Sequence, residues 1–134
     1  MSRIAPKLLL ATALFAGGAA VRAADLYIIC NSQISLDQAG VRELFLGEKQ
    51  FAGALKLVPV DNSAAQSLFL GRVLNMSAER YSVAWVKKSF RDGINPPGVV
   101  GSDAEALASV RRIPGACSYV TTPPATGVAV IGRL

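Results

Sequence analysis

"VPVDNSAAQSLFLGRVL", residues 58–74, holds the passage on which the fold turns. Val58-Pro59-Val60 closes a short apolar run that begins at Leu57, which reads as a strand. Pro59 has no amide to donate and so predicts a strand end or an edge. Asp61-Asn62-Ser63 is a polar turn, and from Ser63 onward Leu68, Phe69, Val73 and then Met76 recur at helical spacing. The stretch is therefore strand, turn, helix. The turn admits two readings. Free amides at a helix start attract phosphate or carboxylate, which makes Asp61, Asn62, Ser63 and Gln66 the candidate ligand-binding residues. Yet Ser63-Ala64-Ala65-Gln66 also matches a capping box, in which Ser63 and Gln66 use those same amides. The spacing favours the cap.

Working outward, Leu26 to Cys30 is a continuous apolar run, the mark of a strand buried on both faces. Ser35 to Gln38 matches a capping box, followed by Val41, Leu44 and Phe45 at helical spacing and by Gly47 as a stop. Residues 50–56 form a loop or small hairpin around Gly53. Downstream, a second helix starts at Ser77 and is expected to turn Tyr81, Ala84, Trp85 and Phe90 inward. Tyr81 and Trp85, one helical turn apart, suit core packing better than a stacking platform. Residues 91–100, with two prolines and two glycines, read as a loop. Ser102 to Glu105 opens another helix, with Leu107, Val110 and Ile113 facing inward and Pro114-Gly115 ending it. Residues 116–120 and 127–131 are the last strands. Strands alternating with helices specify a layered α/β domain with a mostly parallel sheet. Ligands of such sheets bind beyond the carboxyl ends of strands, where the turn at 61–63 lies.

The chain opens with Arg3 and Lys7, an apolar run over 8–20, and Val21-Arg22-Ala23. This is the pattern of a secretory signal peptide, residues 1–23, cleaved after Ala23. The run is too short and too rich in Ala and Gly for a membrane span. Residues 24–134 then make one domain, 111 residues with 11 basic and 9 acidic side chains. That balance lacks the basic stripe of a nucleic-acid-binding protein. Two cysteines, Cys30 and Cys117, lie 87 positions apart in predicted strands. In an exporting compartment they either pair or serve as two separately buried apolar side chains.

The chemistry is narrow. The sequence has no histidine, which removes Ser-His-Asp and Cys-His catalysis and His-ligated metal sites. No CxxC, GxGxxG or Walker loop occurs, and the nine carboxylates are dispersed. The expectation is a non-enzymatic protein with no metal and no cofactor.

Several stretches together resemble the phosphate-type ABC-transporter substrate-binding proteins. Val41-Arg42-Glu43-Leu44-Phe45-Leu46-Gly47 resembles the family's "L-x-x-I-F-L-G" helix end. Asn75-Met76-Ser77-Ala78-Glu79 is similar to its "L-x-M-S" junction. Gly101 to Glu105 and Ile113 to Val120 are similar to its "G-x-D" and "P-G-A-I-G-Y-V" ending. The order and spacing match over nearly all of residues 24–134. The resemblance implies a single three-layer lobe of a type 2 periplasmic-binding-protein fold, with helices flanking a mostly parallel sheet. It implies a periplasmic, solute-binding-like protein of an ABC-type uptake system, with a small anion such as phosphate as ligand. In the family's "R-x-D-G-S-G-T" turn, Asp61 and Ser63 match, whereas the Arg is absent and Ala64 and Ala65 replace residues that add donors. Weak binding is the consequence, because Arg contacts dominate anion recognition. A lone lobe would need a second copy or another envelope protein to complete a cleft, and an accessory docking module is the alternative. The resemblance also places Cys30 and Cys117 on neighbouring strands, and so implies a disulfide.

Overall fold

A computed structural model describes residues 24–134; residues 1–23, read above as a signal peptide, lie outside the described residues. The chain order is β1 (Tyr27–Asn31), α1 (Gln38–Phe45), β2 (Phe51–Ala52), β3 (Leu55–Lys56), β4 (Val58–Asn62) and α2 (Gln66–Phe69). A π-helical turn (Leu70–Leu74) follows, then α3 (Ala78–Asp92), β5 (Gly98–Val100), α4 (Asp103–Arg112), β6 (Ala116–Val120) and β7 (Val128–Arg133).

The main sheet has the order β5-β4-β6-β1-β7. β4 runs parallel to β5 and β6, while β1 runs antiparallel to both β6 and β7. Four of the five strands thus point one way and β1 the other, a mostly parallel sheet as the alternation of elements predicts. β1 and β6 are buried along their whole length. Their alternate side chains feed two cores. On one face Ile28, Cys30, Cys117 and Tyr119 pack with Val41, Leu44, Phe45, Phe69 and Trp85. On the other, Tyr27, Ile29, Ala116 and Val120 pack with Ala106 and Val110 of α4. Helices on both faces make three layers.

Cys30 and Cys117 stand directly opposite each other in the β1–β6 register and form a disulfide, with Cα atoms 4.0 Å apart. The loop at 50–56 is the β2–β3 hairpin, with Gly53 at φ +59 in its turn. Pro59 sits near the start of β4, next to β6; β5 begins pairing only at Val60, so no ladder bond is missed on that side.

Four local expectations are corrected. The cap of α1 is Asp37, whose carboxylate accepts from the Gly40 amide at 2.7 Å, not Ser35. The helix expected from Ser63 to Met76 is one turn of α-helix beginning after Ala65, then the π-helical turn, which ends at Asn75 with φ 52. Residues 98–100, expected as loop, form β5, because pairing with β4 outweighs the local Pro-Pro-Gly signal. Phe90 and Ala84 point outward; only Tyr81 and Trp85 of α3 are buried. The helix starts read at Ser77 and Ser102 hold, the hydroxyls of both serines accepting from the Arg80 and Glu105 amides. Glu105 reaches back to the Gly101 amide, one residue before the cap.

Candidate functional site

The carboxyl ends of β4, β5 and β6 meet at one edge of the sheet, and the polar turn follows β4 there. Asp61, Asn62 and Ser63 are consecutive, yet they lie in three different environments: the pleat sends Asp61 and Asn62 to opposite faces, and Ser63 follows the end of β4. Asp61 is 2 % exposed. Its Oδ2 accepts from the Tyr81 hydroxyl and its Oδ1 from the Tyr119 hydroxyl, both at 2.8 Å. Burial raises the Asp61 pKa above the ordinary carboxylate value, against the opposing pull of the Tyr119 and Tyr81 hydrogen bonds. Burial and the adjacent Asp61 charge also push both phenols upward, so each remains a donor.

Asn62 is fully buried and structural. Its Nδ2 donates to Asp103 Oδ1 at 2.8 Å and to the Tyr119 carbonyl at 3.0 Å. Its Oδ1 accepts from the Ala64 amide at 3.1 Å, while the Ala65 amide donates to the Asn62 carbonyl. The capping box at Ser63 therefore does not form. Asn62, already held at the end of β4, takes the nearest free amide, and no side chain caps α2. Ser63 is exposed, with its amide donating to the Val100 carbonyl.

Asp103, the first residue of α4, completes the edge. Its Oδ2 accepts from the amide and hydroxyl of Thr121 and of Thr122, at 2.9–3.1 Å. Partial burial opposes its charge, but the donors from Thr121, Asn62 and Thr122 together hold its pKa below the ordinary value.

Asp61 and Gln66 share a cavity of about 530 Å³ with Tyr81, Trp85, Phe90 and Val99. Asn62 and Ser63 do not line it. The cavity is largely apolar at its mouth, where Phe90 is 90 % and Val99 67 % exposed. Its polar groups are the saturated Asp61 carboxylate, the Gln66 amide and the hydroxyls of Ser82 and Ser89, the last buried without a partner among the described residues. The turn thus divides into a buried acid facing this cavity, a buried amide tying the strands to α4, and one exposed hydroxyl. Tyr119, Asp103, Thr121 and Thr122 were invisible as site neighbours in the sequence; Tyr81 was visible only as core.

No protein-family model matches the chain, and no curated protein matches it. Among solved structures it is similar to an ABC-type phosphate transport receptor from Vibrio cholerae, at 17% identity and a TM-score of 0.49. The match covers 81% of this chain and 46% of the receptor, so the chain spans less than half of that protein's length.

Proposed function

We propose that this protein is an exported, non-enzymatic, solute-binding-like lobe that takes a small oxyanion such as phosphate weakly, in an ABC-type uptake system. The carrying observation is the convergence of three parallel strand ends at one edge, where Ser63 is exposed and no side chain caps α2. Strand ends of this kind are where α/β sheets take ligands. The leader pattern over 1–23 and the Cys30–Cys117 disulfide support export to an oxidising compartment. Among the described residues no helix is long and apolar enough to cross a membrane.

Weak binding follows from the donors that remain. Asp103 already holds the amides and hydroxyls of Thr121 and Thr122, and no Arg stands in the turn. Each hydrogen bond made on an open, wet face nets only about 0.5–1.5 kcal/mol.

The test is thermal unfolding of residues 24–134 against phosphate and a panel of other oxyanions. Ligand at about 100 times its Kd stabilises by about 2.7 kcal/mol, a Tm rise of roughly 10 °C. The rise is expected with at least one oxyanion and is expected to vanish in Ser63→Glu, which puts a negative charge on an exposed position. No rise with any oxyanion at millimolar concentration rejects the reading. The second reading, a docking module for another envelope protein, is favoured by one observation: Val83, Val86, Phe90 and Val99 are all about half exposed or more.

A further inference from the structure

A second cavity, of about 670 Å³, opens beside the C-terminal half of α3, between the turn after α1 and the start of β4. No residue of the polar turn lines it. Its floor is apolar: Leu44 and Leu57 are buried, and the Trp85 ring is fixed by its Nε1–H donating to the Phe45 carbonyl at 3.0 Å. Its walls carry Lys49, Lys56 and Lys88, from three different elements.

None of these ammonium groups forms a direct ion pair, although the charge of Lys88, after the Arg91 hydrogen bond, helps hold the Asp92 carboxyl below its ordinary value. Among the described residues the ion pairs are Arg91–Asp92 and Arg133–Asp25. Of the two acids on the cavity wall, Asp92 is held by Arg91 through both oxygens, and Glu48 is exposed and unbridged. Lys49 and Lys88 are half-buried, which weakens the solvent screening of their charges. The position of Lys88 is built in. Gly47, at φ +72, has its missing Cβ within 2.9 Å of both Lys88 Cδ and the Trp85 ring. Any side chain there would displace the lysine stem and the indole; glycine lets both pack on the turn.

Three lysines against two acids leave the lining of this concave space with an excess of positive charge, which an anion complements. A single inorganic ion would leave the indole and leucine floor unused, whereas a cavity of this size and mixed lining suits a small molecule. We infer that this cavity binds a small organic polyanion, with carboxylate or phosphate groups on a compact ring or short carbon skeleton.

Trp85 is the only tryptophan of the chain and lines both this cavity and the one beside Asp61, so its fluorescence reports binding and the lysine substitutions assign the change to this cavity. The intact protein is titrated with citrate, with adenosine 5′-monophosphate and with inorganic phosphate at low ionic strength. A saturable fluorescence change is expected with citrate or the nucleotide and a much weaker one with inorganic phosphate. Loss of one ammonium contact, in Lys49→Gln or Lys88→Gln, is expected to weaken binding by about tenfold. Lys56→Glu, at an exposed position away from the packed floor, is expected to do so as well. Ser63→Glu is expected to leave the citrate and nucleotide titrations unchanged, because Ser63 does not line this cavity. No saturable change with either organic anion overturns the inference, as does a change that survives the lysine substitutions or is matched by inorganic phosphate.

Discussion

Tyr119→Phe tests the buried Asp61 network with little disturbance of packing. The Tyr119 ring stacks on Phe69 with centroids 4.0 Å apart and planes 5° from parallel, and phenylalanine keeps that contact. What is lost is one hydroxyl donating to Asp61 Oδ1 at 2.8 Å. A hydrogen bond to a charged group contributes about 1.5–3 kcal/mol, so the variant is expected to lose about 2 kcal/mol at neutral pH. Its Tm falls by roughly 10 °C. The loss also depends on pH. Burial raises the folded-state pKa of Asp61 above 3.8, so its contribution is complete below pH 3.8 and declines as pH rises through the folded value. Removing a donor to the carboxylate raises that folded value further and makes the decline steeper. The penalty of Tyr119→Phe therefore grows with pH, from about 1 kcal/mol or less for a neutral acid to about 2 kcal/mol for the charged one. Asp103 has the opposite sign: its stabilisation is present above 3.8 and is lost as pH falls through its depressed folded value. That slope is common to both proteins and cancels in the difference. The assay is urea unfolding followed by Trp85 fluorescence between pH 3.5 and 7.5. A penalty that stays flat across this range, or one near zero at pH 7, would refute the assignment of Asp61 as a buried acceptor held by two phenols.

Two further outcomes follow from the covalent and capping geometry. Reducing the Cys30–Cys117 bond, which joins residues 87 positions apart, is expected to lower stability by roughly 4–5 kcal/mol on the chain-entropy account; a urea midpoint unmoved by reductant would contradict it. Ser77→Ala is expected to lose about 1 kcal/mol because its hydroxyl caps α3, whereas Ser63→Ala is expected to change stability little because it caps nothing. Equal losses in calorimetry would mean that Ser63 caps α2 after all.

What could be read from the chain was what short-range physics decides. The unbroken apolar run of β1, the hairpin at Gly53 and the helix starts at Ser77 and Ser102 each depend on residues within a few positions of one another. The misreadings share one cause. β5 exists because β4, nearly forty residues earlier in the chain, offers it a partner. Phe90 continues the helical stripe of Tyr81 and Trp85, but the body of the protein ends beneath it. Asp61 looked like a ligand group because the tyrosines that saturate it lie 20 and 58 positions away. The disulfide lay between these cases. Spacing left it open, and the antiparallel register that sets Cys30 against Cys117 closes it.

The two asparagines that end β1 and β4 show how the sheet restricts where a ligand can sit. Asn31 Nδ2 donates to the carbonyls of Val110, Arg111 and Ile113, satisfying the C-terminal end of α4. Asn62 Nδ2 donates to Asp103 at the opposite end of the same helix. One helix is thus tied to the sheet at both termini by amides carried on two strands of opposite direction. Releasing Asn62 to meet a solute would break the Asp103 contact and leave a fully buried amide without its partner, a cost of about 1–3 kcal/mol. Asp61 is similarly committed to its tyrosines. Under the proposed reading, the group left to meet a solute at this edge is the exposed Ser63 hydroxyl. Two of the three residues of the polar turn secure the fold, and the third faces solvent.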